Sequence, residues 1–499
     1  MLASGPNQQS IGIWAISIVG GESRKLRDDA WLATPSPDGA QIAYISPDYR
    51  ELWVMNAYGS EARKLQTLQG ATFLQVAWGP DGKRLAYLKN YSLRAERVIE
   101  SCDLAGGQVN TLWADQRIKN FTWTPQGRVI ATLTDENGNG SGPSRSDLWE
   151  ERVRGGRAAG APVRLTNFAG FTSLSLSVTA DGKRLALIRS YDQSDVYVGA
   201  LSAKASRLED ARRLTLDDRV DWPGGWSRDS RSVLFYSDRQ GTLDIFRQRF
   251  DDQTAEPLSV GLEEKRQPQV SPDGSSILYL AWPGTRTGSR PAAGRILRIP
   301  ISGGPGQAVL EIAGYPGSAQ EPRDVGAHVL TTTGYPDFRC PAAGSCVLGE
   351  SQSGKIAFTA FDAGNGRKSA GSAIDVSSPS FWDLSPDGSK IAFGETGRND
   401  RIRIVPVGGG TASQVPVKGL REIASVGWSA DGASLFVTGT ALEGGTVLRH
   451  ISLDGQSQVL YKTDAWLERP LASPDGHYLA FGLATSSNNV WTIENFESR

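Results

Sequence analysis

The residues that could carry chemistry in this 499-residue chain are few and scattered. Asp135-Glu136-Asn137-Gly138-Asn139-Gly140 fits the first six positions of a calcium loop. Alternating short oxygen side chains can wrap a hard cation, and glycine at the sixth place allows the sharp turn. Asp135, Asn137 and Asn139 are the ligands this reading expects, with calcium as the cofactor. The twelfth position is Ser146 instead of a bidentate glutamate, and Asp147 comes one place late. An Asn-Gly-rich stretch is also what an ordinary loop looks like.

Two sites imitate a serine nucleophile, Gly225-Trp226-Ser227 and Gly427-Trp428-Ser429. A nucleophile elbow needs glycine two places after the serine and a strand-to-helix turn. Both sites instead put aspartate there and read as a strand entering a tight turn. The histidines are His328, His450 and His477, none beside another ligand type at metal-binding spacing. Neither a phosphate-binding glycine loop nor a kinase signature set is present. These residues assign no catalytic or cofactor-binding side chain, and the expectation is that the chain is not an enzyme.

The elements that must position any site are announced by a repeated phrase. Ser36-Pro37-Asp38-Gly39 precedes Gln41-Ile42-Ala43-Tyr44, and Gly79-Pro80-Asp81-Gly82 precedes Arg84-Leu85-Ala86-Tyr87. The phrase returns ending at Gly182, Gly274, Gly388, Gly432 and Gly476, with weaker copies ending at Gly127 and Ser230. Most gaps are 43 to 48 residues. Proline presets φ, aspartate favours the turn, and glycine supplies its left-handed end. Apolar runs flank each turn. A third strand often reads Asp-aliphatic-aromatic, as at Asp195-Val196-Tyr197 and Asp244-Ile245-Phe246, and a fourth starts near Arg-Leu-Thr. Four antiparallel strands at this period predict an all-β fold of tandem β-propellers.

The 114-residue gap from Gly274 to Gly388 hides one blade without the phrase. Its expected strands lie near Phe338, Val347, 356–361 and 372–376. The expected division is a partial propeller of about three and a half blades over 1–160 and a ring of about seven blades over 161–499. Val163-Arg164-Leu165 is the expected closing strand of the second ring. An open first ring would expose edge strands and favour self-association.

Ser237-Asp238-Arg239-Gln240-Gly241-Thr242-Leu243-Asp244-Ile245-Phe246 resembles the TolB-like propeller repeat, a cousin of the WD-repeat blade. The ending Asn488-Asn489-Val490-Trp491-Thr492-Ile493-Glu494-Asn495-Phe496, with Asp337-Phe338-Arg339-Cys340 and Trp382-Asp383-Leu384-Ser385, is similar to a narrower bacterial group. In that group tandem propellers follow a serine/threonine kinase or winged-helix regulator domain. The resemblance implies a non-catalytic sensory or partner-binding module of a signalling protein. A TolB-like scaffold docking an envelope protein is the alternative, with a propeller hydrolase or lyase ranked behind it. The expected partner is a protein or small molecule at the propeller loops, chiefly 135–146, 282–294 and 312–335.

Formal net charge is −1, from 53 basic and 54 acidic residues, which gives no electrostatic case for nucleic acid. No apolar run is long enough to span a bilayer. The start lacks the pattern of a signal peptide, so the chain as written reads as cytoplasmic, or as extracytoplasmic if it is part of a membrane-anchored parent. Three cysteines do not make a disulfide scaffold; Cys340 and Cys346 flank a turn and either bridge or stand as two ordinary thiols on adjacent strands.

Overall fold

A computed structural model describes residues 2–7, 10–17, 20, 22–91, 96–135, 145–167, 172–202, 205, 207–282, 293–313, 336–352, 354–376, 380–395 and 400–494. The described residues form antiparallel sheets, most of them four-stranded, and contain no α-helix. Among the described residues, therefore, no helix is long and apolar enough to cross a membrane. The chain divides into two compact units. One comprises the described residues within 1–135, 145–191 and 487–494, the other those within 192–486.

The repeated turn builds as its chemistry dictates. Ser385 Oγ donates to Asp387 Oδ1 at 2.5 Å, and the same carboxylate oxygen accepts the Ser389 N–H at 3.1 Å. The Gly388 N–H reaches the Ser385 carbonyl at 2.8 Å with Gly388 at φ +72°. Each copy therefore pins its first two strands in one register.

In the first unit, Leu2–Asn7, Ser10–Ala15 and Arg24–Asp28 form a three-stranded sheet. Three fuller sheets follow, beginning at Trp31–Pro35, Thr72–Trp78 and Ile118–Trp123. Val163–Arg164 is the outer strand of the last of these, paired with Trp149 and Glu150 of Arg145–Arg154. This corrects the expected closing strand. Thr172–Val178 pairs with the 184–190 part of Arg184–Leu201, and Ile493 packs on Leu176 and Leu187.

Among the described residues the second unit holds five four-stranded sheets and the larger part of a five-stranded one, which makes a sixth blade. Their innermost strands are Asp221–Trp226, Glu264–Val270, Asp337–Arg339, Ser380–Leu384, Leu420–Trp428 and Trp466–Ala472. The blade without the turn phrase is present, as Asp337–Arg339, Cys346–Gln352, Lys355–Phe361 and Lys368–Asp375. The last blade takes Trp466–Ala472 and the start of Tyr478–Glu494 from the C-terminal side. Its outer strands come from 192–201 and Leu208–Arg213. Leu201 N–H donates to the His477 carbonyl at 2.7 Å, fixing that seam. Among the described residues the ring shows six blades, where the repeat spacing expects about seven. The physical reason lies in Arg184–Leu201, an unbroken strand of 18 residues. The Ser190-Tyr191-Asp192-Gln193 stretch offers no glycine or proline to turn on, and the strand runs on through it.

The core lies between successive blades. Leu234, Tyr236, Ile245 and Leu258 of one blade pack with Ile277, Tyr279 and Ile299 of the next, all buried. Such strands are covered on both faces, which is why they read as continuous apolar runs.

Candidate functional site: the channel of the second unit

The six innermost strands of the second unit line a central channel. Four of them carry a break in register, at Pro223/Gly225, Arg266/Gln269, Ile423/Ser425 and Glu468/Leu471. A bulge re-aims one side chain out of the strand's alternation. At two of these breaks a non-glycine residue takes a left-handed backbone, Gln267 at φ +57° and Arg469 at φ +51°. The side chains so re-aimed meet: Arg469 Nη1 donates to Gln267 Oε1 at 2.6 Å. The Arg469 N–H donates to Ser425 Oγ at 3.1 Å, which shares a 2.6 Å hydrogen bond with Thr438 Oγ1. Close approach of neighbouring inner strands also demands glycine. A Cβ at Gly427 would sit 2.0 Å from the Pro470 carbonyl oxygen.

Beside this bond sits an ion cluster. Arg339 Nη1 donates to Asp337 Oδ1 at 2.7 Å and Arg339 Nε to Asp383 Oδ1 at 3.1 Å. The guanidinium also lies 5.2 Å from the centroid of the Trp382 ring. Asp383 Oδ2 accepts the Trp428 N–H at 2.9 Å. Burial raises the Asp383 pKa, and Arg339 opposes that rise. Asp337 is 2% exposed, and its Oδ2 has no hydrogen-bond partner. Cavity volume for water-sized occupants is about 40 Å³. That admits little more than water, so an organic ligand must be met at an end of the channel.

Up-and-down topology places two kinds of connection at one end of the ring, those between second and third strands and those between blades. At that end stands a set of acids, Asp221, Asp238 and Asp195 buried and Asp217 partly exposed. Asp221 Oδ1 pairs with Arg239 Nη2 at 3.1 Å, and Asp217 Oδ2 with the same nitrogen at 3.2 Å. Asp238 Oδ1 accepts the Val220 N–H at 3.1 Å. Burial pushes Asp238 and Asp195 up to about 6 and raises Asp221 as well. The same end exposes Leu216, Val260, Leu262 and Leu442, at 60%, 51%, 87% and 59% of their surface. The opposite end carries the polar Ser-Pro-Asp-Gly turns.

Of the residues marked in the sequence, Asn137 and Asn139 lie outside the described residues, and Asp135 ends the strand Arg128–Asp135. Most of the loops 135–146, 282–294 and 312–335, and His328, lie outside them too. Among the described residues no group of three or more His, Cys, Asp or Glu is placed to hold a metal. Ser227 and Ser429 are turn residues whose hydroxyls donate to Asp229 and Asp431, at 2.5 and 2.6 Å. His450 Nε2 shares a 2.6 Å hydrogen bond with Ser434 Oγ and packs against Phe436. Cys340 and Cys346 form a disulfide, and Cys102 is a buried thiol.

No protein-family model matches the sequence, and no curated protein matches it. Solved structures do. A protein described as TolB from Agrobacterium tumefaciens is 15% identical, over 59% of this chain and 86% of that one, with a TM-score of 0.23. The β-propeller domain of the Trilobed protease from Pyrococcus furiosus is 14% identical, over 60% and 88%, with a TM-score of 0.29. Oligogalacturonate lyase from Vibrio parahaemolyticus is 11% identical, over 56% and 82%, with a TM-score of 0.30. The likeness is to TolB-like and other β-propellers, and it is one of fold alone. The expectation that the chain is not an enzyme is corrected here. A protease and a lyase stand among the similar propellers, so that exclusion is withdrawn.

Proposed function

We propose that the second unit is a recognition module that meets a protein partner at the end of the ring bearing Leu216, Val260, Leu262 and Leu442. The observation carrying this reading is the apolar exposure itself. These four side chains come from three different connections yet share one end, around buried acids and above a channel filled by its own ion pairs. Exposed apolar groups ringed by polar ones are a common mark of a docking surface. On the sequence resemblance, the chain would serve as the sensory or partner-binding propeller region of a bacterial signalling protein. The Cys340–Cys346 disulfide favours an extracytoplasmic setting, where thiols are oxidised.

The test uses a photo-crosslinking amino acid at position 262 and, separately, at position 389 in a turn of the opposite end, in the cells that make the protein. A discrete adduct from position 262 alone, lost on adding Leu216→Asp and Leu442→Asp, is the expected result. Equal labelling from both positions, or none from 262, overturns the reading.

A further inference from the structure

The first unit contains a groove that the propeller channel does not explain. It runs between the strand Asn110–Ala114 and the hairpin of Arg145–Arg154 with Arg157–Ala158, and its volume is about 590 Å³. That lies within the roughly 300–1,000 Å³ typical of small-molecule sites. The hairpin is held in place from the neighbouring blade: Ser101 Oγ donates to the Gly156 carbonyl at 2.9 Å and Arg157 Nε to Asn110 Oδ1 at 3.2 Å. The groove is therefore built, with fixed walls.

The walls are apolar and aromatic, chiefly Trp113, Leu133, Trp149 and Pro162. Three charged residues line it as well, Asp115, Arg117 and Glu151. Two of them satisfy each other. Arg117 holds Asp115 in a fork, with Nε to Oδ1 at 3.0 Å and Nη2 to Oδ2 at 2.7 Å, while its guanidinium lies 5.7 Å from the Trp149 ring centroid. Glu151 remains. It is 1% exposed, and its Oε1 accepts the Ala159 N–H at 3.3 Å. Burial raises its pKa, and the N–H groups of Ala159 and Gly160 oppose that rise. A carboxyl group lining an indole-walled groove, in no ion pair among the described residues, is the complement of a positively charged head on an apolar body.

We propose that the groove binds a small organic cation, with the ammonium group at Glu151 and the apolar body along Trp113 and Trp149. Two carboxyl groups line the groove against one guanidinium, which disfavours anions. The apolar walls disfavour bare metal ions.

Calorimetric titration of the full chain with phenethylamine, and with phenethyl alcohol as the uncharged counterpart, tests this. Saturable binding of the amine is expected, at least about tenfold tighter than the alcohol. Glu151→Gln keeps an acceptor for the Ala159 N–H while removing the charge, and should weaken the amine about tenfold with the circular dichroism unchanged. Trp149→Leu keeps the wall apolar, removes the ring face, and should weaken the amine as well. Equal binding of amine and alcohol, or amine binding indifferent to Glu151→Gln, overturns the cation assignment. No saturable heat from either compound overturns the site.

Discussion

Arg339 stands at the centre of a buried ion cluster in the second unit. Its guanidinium neutralises Asp337 and Asp383 and covers Trp382 in one buried cluster. Arg339→Met removes the cation and leaves two carboxylates in a poorly hydrated channel. We expect it to cost about 3–5 kcal/mol in chemical denaturation. Neutralising the acids as well, with Asp337→Asn and Asp383→Asn, should recover much of that loss, because the cost lies in uncompensated charge. If the triple variant is no more stable than Arg339→Met alone, the cluster acts through packing instead. The sequence displays Asp337 and Arg339 plainly, yet their role is not legible there. Their partner Asp383 comes from the next blade, 44 residues on. Gln267 and Arg469 are harder still: a bulge with a left-handed non-glycine residue leaves no compositional trace.

At the scale of elements, the turn phrase fixes most blades, because serine, aspartate and glycine each perform a local task that needs no tertiary context. The blade beginning at Asp337–Arg339 is recoverable from its apolar runs alone. What spacing could not settle is how the second ring closes. That depends on two places where a turn is missing, Ser190-Tyr191-Asp192-Gln193 and Thr485-Ser486-Ser487-Asn488, and an absent hairpin lets a strand run on. The closure has its own tie. Trp226 Nε1 donates to the Leu471 carbonyl at 2.9 Å, joining the first inner strand to the last across 245 residues. Gly225-Trp226-Ser227 is thus a blade-to-blade fastening, and Trp428 repeats it by donating to the Asp383 carbonyl at 3.3 Å. Trp226→Phe keeps a ring and removes the donor. It should lower stability by about 1 kcal/mol. In hydrogen exchange it should speed the amides of Trp466–Ala472 and Leu208–Arg213 together, since both strands belong to the closing blade. Faster exchange confined to Asp221–Trp226 would mean that this bond does not hold the ring shut.

For the whole molecule, acid should act on the two units differently. In the second, burial raises the pKa of Asp195, Asp221, Asp238, Asp244 and Asp383. A carboxyl whose pKa is higher folded than unfolded makes the folded state bind the extra proton. Its contribution is full below the unfolded value of 3.8 and is lost as pH rises through about 6, as for Asp238. Turn aspartates do the reverse. Hydroxyl donation from Ser385 and Ser271 lowers Asp387 and Asp273 to about 2, so their contribution is lost as pH falls from 3.8 toward that value. The second unit should therefore gain stability between pH 7 and about 5 and lose it below about 4. In the first unit Asp38, Asp48, Asp115 and Asp181 are all lowered, and only Glu151 is raised among its described carboxylates with a resolved shift. It should show mainly the acid loss. Asp238→Asn removes a buried charge and should raise the second unit's stability at pH 7 by on the order of 1–2 kcal/mol, flattening the upper limb. Asp387→Asn should flatten the lower limb and leave the upper one alone. Thermal melts of the three proteins across pH 3 to 8 separate the two effects, and an upper limb unchanged by Asp238→Asn would show that this carboxyl titrates normally in the folded chain.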